Sequence, residues 1–177
     1  YFEGGLQLGE IPLVTEGEHA GTTDLAALER MLADPARPVA GVIAAQPDFL
    51  GLLEPMPRIG ELAHAAGALF VAVVEPVSLA VLAPPGAYGA DIAAGEGQPL
   101  GIAPQYGGPY LGILACTDPL VRQIPGLLLG MTQDLDGQRA FVMTMRAREQ
   151  DIRRDKAASN ICTNQALLAL AASIYLA

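Results

Sequence analysis

Apolar positions change period several times along the chain. Leu25, Leu28, Met31 and Leu32 recur at helical spacing behind Thr22-Thr23-Asp24, which offers an N-cap, and Asp34-Pro35 ends that helix. Val39–Ala45, VAGVIAA, is a short apolar run of strand type, and Gln46-Pro47-Asp48-Phe49 turns out of it because Pro47 disfavours helix at Gln46. Pro57 opens a second helix through Ile59, Leu62 and Ala63, closed by Gly67. Ala68–Val74, ALFVAVV, is almost continuously apolar, the pattern of a strand covered on both faces. Beyond the Pro84-Pro85-Gly86 turn, Ala90–Ala94 and Tyr110–Cys116 predict two more strands. Asp118-Pro119 predicts a helix running to Pro125, and Leu127–Thr132 with Ala140–Met145 predicts a hairpin around Asp136-Gly137. From about Glu149 the chain reads helical, with a break near Ser159-Asn160, and Ala166–Ala177 reads as a buried helix.

Helix alternating with buried strand predicts an α/β fold around a mostly parallel, helix-covered sheet. Ligands in such sheets gather at the carboxyl ends of the strands, which draws attention to Glu75, Glu96 and the Gly107-Gly108 turn. At 177 residues the chain is long enough for one domain or most of one, and its pattern at both ends reads as a piece of a longer polypeptide. Hydrophobic residues make up 51% with a mean hydropathy of +0.35, yet no run approaches the roughly 18 apolar residues of a membrane span. The net charge of −9 argues against a nucleic-acid surface. The one basic cluster, Arg146 to Lys156, is interleaved with Glu149, Asp151 and Asp155 and reads as a solvated, ion-paired helix face. Cys116 and Cys162 lie far apart with no signal peptide before them, which predicts a reduced, cytoplasmic chain.

The stretch Gly89–Gly112, GADIAAGEGQPLGIAPQYGGPYLG, has the layout of a ligand loop but contains no Lys, Arg, His, Ser, Thr or Cys. Gly95-Glu96-Gly97 does not continue into G-x-G-x-x-G, and no Lys-Ser/Thr follows Gly107–Gly112, so a nucleotide loop is not predicted. His19 and His64 lie far apart and the cysteines have no ligand spacing, so no metal is expected; His64 reads as structural and His19 as exposed. Ser78, Ser159 and Ser173 lack a nucleophile elbow. Lys156 is the only lysine, beside two arginines and Asp155 on a predicted helix rather than at a strand end, a poor place for a Schiff base. Ser159, Asn160 and Thr163 interrupt an apolar run at a helix start, where N–H groups either hold a phosphate or are capped by these side chains.

The blocks GADIAAGEGQPLG, QYGGPYLGILAC, RQIPG with GMTQDLDGQRAFV, and AREQDIRRDKAASNICTNQALLAL together resemble the P-protein family of the glycine cleavage system. The resemblance is to its subunit 1 type, equivalent to the N-terminal half of the fused form, and covers essentially the whole chain. It implies the fold-type I fold of pyridoxal-phosphate (PLP) enzymes, with residues 1–177 forming part of the large domain, without a leading segment and the C-terminal small domain. It also implies a heteromer that decarboxylates glycine and passes the aminomethyl group to the lipoyl arm of H-protein, with the PLP lysine on subunit 2. By the shared landmarks, that lysine would fall near Pro99 here, and Glu75 near the acid that faces the pyridine nitrogen. Proline has no amine, so the resemblance implies no catalytic residue on this chain. It leaves Glu75 as a relic or structural carboxylate, and Ser159, Asn160 and Thr163 as contributors to cofactor binding across the interface. The chain departs from the family at Leu127, Arg146, Asp151 and Ala158, where Arg, Gln, His and Thr are expected. A scaffold or binding protein of the same fold without a catalytic partner is the alternative; an independent aminotransferase or desulfurase is disfavoured by the lysine count.

Overall fold

The computed structural model describes residues 5–124, 126, 128–144, 154–156 and 165–177. Two compact units emerge, one running to Ala115 and including Leu168–Ala177, the other Cys116–Leu167.

The first unit begins with helix α1 (Leu25–Leu32), whose N-cap Asp24 accepts from the Ala27 N–H at 3.0 Å. Strand β1 (Gly41–Gln46) follows, then α2 (Met56–Ala65) with Pro57 in its first turn, and β2 (Leu69–Val74). Two 3₁₀ turns, Pro76–Ala80 and Pro85–Tyr88, lead to β3 (Ile92–Glu96), and β4 is Gly112–Cys116. The sheet order is β1-β2-β3-β4, with β1, β2 and β3 parallel. Val42↔Phe70 and Ala72↔Ala93 set the register. The core is the apolar face of α2 (Met56, Ile59, Leu62, Ala63) laid on Val42, Phe70, Ala72 and Val74, with Leu28 of α1 closing one side.

Several sequence expectations shift. β1 starts at Gly41, two residues after Val39. β3 also lies two residues later than Ala90–Ala94, because the Ala90 N–H closes the preceding turn on the Pro85 carbonyl at 3.0 Å. Gly95 and Glu96 therefore belong to the strand. The β2 strand is not covered on both faces: Phe70, Ala72 and Val74 are buried, while Leu69 and Val73 are each 39% exposed and Ile43 of β1 is 62% exposed. The helices lie over one face, and the β2–β3 connection adds Leu79 and Tyr88 to that same core.

The terminal helix α3 (Ala166–Leu176) is not buried as its composition suggests. Only Ala172 is buried, while Leu167 is 73% and Ile174 69% exposed. A helix apolar on every side can bury any stripe, and here one stripe packs, with Tyr175 lying against Gly101.

In the second unit the helix expected after Asp118-Pro119 is a single 3₁₀ turn, Asp118–Leu120. Its N–H groups reach back three residues, Val121 to Asp118 and Gln123 to Leu120, because the segment before Pro125 is too short to nucleate an α-helical ladder. The hairpin forms as expected: β5 (Leu128–Gln133) pairs antiparallel with β6 (Arg139–Thr144). Its turn is held by the Asp134 carboxylate, which accepts from Asp136 N at 2.9 Å and Gln138 N at 2.8 Å, with Gly137 at φ +75°. Of the basic cluster, Arg154–Lys156 forms a 3₁₀ turn rather than a regular helix. Its remaining residues, and Ser159, Asn160, Cys162 and Thr163, lie outside the described residues.

Candidate functional site

The carboxyl ends of β1, β2 and β3 open into a cleft of about 520 Å³, walled by Ala45, Pro47, Val73, Glu75, Glu96 and Pro99 among others. That is where an α/β sheet collects its ligands. Glu75 and Glu96 meet there as the strand pattern suggested. The Gly107-Gly108 turn is not part of the wall; Gly108 closes its own turn on the Gln105 carbonyl.

Both carboxylates accept from backbone N–H groups. Glu75 turns back as the N-cap of the 3₁₀ turn Pro76–Ala80, accepting from Val77 N at 3.1 Å and Ser78 N at 2.7 Å. Glu96 accepts from both Gln98 N and Leu111 N at 2.9 Å, stitching the end of β3 to the entry of β4. The glycines around them serve backbone packing. A Cβ on Gly95 would stand 2.5 Å from the Val74 carbonyl oxygen, so strand approach, not ligand access, demands glycine there. The loop that looked like a site without chemistry is a strand junction.

Pro99 lines the same cleft as Glu75. The position that the family resemblance assigns to a lysine thus lines the same cleft as the position it assigns to the pyridine-side acid, yet one is a pyrrolidine ring and the other a cap. The described lining holds two carboxylates and no cation. An aldehyde cofactor carrying a phosphate needs an amine to bond and positive charge or free N–H groups for its anion. These residues do not fit covalent attachment of such a group.

Two carboxylates that sequence reasoning passed over hold the unit together. Glu54 is buried, and both its oxygens face the Thr23 N–H at 3.1 and 3.0 Å, while its own N–H donates to Gln46 Oε1 at 2.9 Å. Its signal was a carboxylate directly before Pro55, at a helix entry. Asp91 accepts from Phe70 N and pairs with His64 Nε2, both at 2.8 Å, tying α2, β2 and the entry to β3. Partial burial pushes the Asp91 carboxyl up, but the Phe70 N–H together with the hydrogen bond and charge of His64 outweigh it. The group lies below the ordinary carboxylate value. The structural reading of His64 is thereby given a partner. His19 is exposed. Burial pushes the Tyr88 phenol up. Among the described residues no His, Cys, Asp or Glu group could hold a metal ion, and no helix is long and apolar enough to cross a membrane.

Residues 14–177 match the family described as glycine cleavage system P-protein. The chain belongs to that family. It is 55% identical over 173 residues to a probable glycine dehydrogenase (decarboxylating) subunit 1 of Moorella thermoacetica, covering 98% of this chain and 37% of the relative. Against the protein of the same description from Chlorobium phaeobacteroides it is 54% identical over 176 residues, 99% of this chain and 38% of the relative. The P-protein chain thus spans a little over a third of the length of these curated relatives. Its fold matches a crystal structure of glycine decarboxylase (P-protein) in inhibitor-bound form with TM-score 0.73 and 48% identity, over 93% of this chain and 33% of that one. A cysteine desulfurase from Thermococcus onnurineus shares the fold at TM-score 0.51 and 22% identity, over 80% of this chain and 34% of that one. The architecture is the fold-type I α/β fold of PLP-dependent enzymes.

Proposed function

We propose that this P-protein chain is the non-catalytic subunit 1 of a heteromeric glycine decarboxylase. The observation that supports it is the lining of the cleft: Pro99, which the family landmarks set near the anchoring lysine, shares the wall with Glu75, whose carboxylate caps the Pro76–Ala80 turn. The cofactor then resides on a homologous subunit 2 that keeps the lysine. The heteromer decarboxylates glycine and delivers the aminomethyl group to the lipoyl arm of H-protein.

On this reading the chain's own cleft rejects the cofactor and directs it next door. Two carboxylates in the wall repel a phosphate, and a pyrrolidine ring cannot condense with an aldehyde. What the chain offers its neighbour is a rigid sheet and, from the segment at Ser159, Asn160 and Thr163, polar groups for the partner's cofactor phosphate. The free thiol of Cys116 suits a reducing, cytoplasmic setting.

The test is glycine–bicarbonate exchange by the full-length subunit, alone and reconstituted with a lysine-bearing homologue. Exchange should require both. Borohydride treatment of the lone subunit with PLP should leave Lys156 unlabelled. Exchange by the lone subunit, or a pyridoxyl label on Lys156, would overturn the proposal.

A further inference from the structure

We draw no further inference here: the strongest candidate, the apolar face that Leu129, Met131, Phe141 and Met143 form on the β5–β6 hairpin, is an unpartnered face, and nothing in the structure shows what covers it.

Discussion

Replacing Gly60 by alanine sets two forces of comparable size against each other. Gly60 sits inside α2, and alanine is intrinsically the better helix residue by about 1 kcal/mol. Its added Cβ, however, would stand 2.9 and 3.3 Å from Cδ1 and Cε1 of Phe70 and 3.1 Å from the Tyr88 carbonyl oxygen. Phe70 is completely buried, as is Ile59 beside Gly60, so the ring has no open side into which to move. Relief requires α2 to lift off the sheet by several tenths of an ångström, and overpacking of this kind costs about 1–3 kcal/mol. The cost exceeds the propensity gain, and G60A should lower the stability of this unit by about 1 kcal/mol or more. Native-state hydrogen exchange of the α2 and β2 amides in the full-length protein reads that unit without assuming one global transition. Trimming the obstacle should reverse part of the effect: on an F70L background the G60A penalty should shrink, giving a coupling of about 0.5 kcal/mol or more. A G60A protein whose α2 amides exchange more slowly than wild type would refute the argument, because it would mean that propensity outweighs the Phe70 contact.

Two further outcomes follow from the carboxylates. Because the folded-state pKa of Asp91 is depressed, its stabilisation is fully present above the ordinary carboxyl value near 3.9 and is lost as pH falls below that toward the folded value. D91N, which keeps an acceptor for Phe70 N but no charge, should flatten the stability profile below the ordinary carboxyl value near 3.9. D91A also strands that buried N–H and should cost about 1–3 kcal/mol at pH 7; acid titrations of the three proteins check both, and identical profiles would deny Asp91 its role. E75A removes the cap of the Pro76–Ala80 turn and should cost about 1 kcal/mol of stability, while exchange by the reconstituted heteromer stays within about twofold of wild type. A collapse of turnover without loss of stability would place Glu75 in the chemistry instead.

How far the residues alone disclose this molecule depends on whether the deciding force is local. Asp24 before an apolar-periodic run, Pro57 at a helix entry and Asp136-Gly137 between two strands act within four residues of themselves, and each produced the element expected. The boundaries that slipped were set at a distance. Ala90 is drawn out of β3 by the Pro85 carbonyl, and the far faces of Leu69 and Ile43 stay open because the described crossovers bury the other side. Apolarity states that a surface is to be covered, never by what, and so α3 and the near-continuous β2 run read as buried where they are partly bare.

The cleft follows the same division. Strand ends put Glu75 and Glu96 in view from their positions along the chain, and the structure brings Pro99 beside them. What each carboxylate does was not legible, because its partners are backbone N–H groups whose positions exist only once the turns have formed. Gln98 and Leu111, fifteen residues from Glu96 at the farther end, are brought together by the pairing of β3 with β4. A carboxylate at a strand end can be an acid, a cation ligand or a cap with equal warrant from composition. Geometry separates them: a carboxylate that receives two backbone N–H groups from its own turn or junction is acting as a cap. Both acids in this cleft are in that condition, and Pro99 in the same wall carries no amine. The described wall of this cleft therefore holds its two carboxylates in backbone hydrogen bonds and sets no cation beside them.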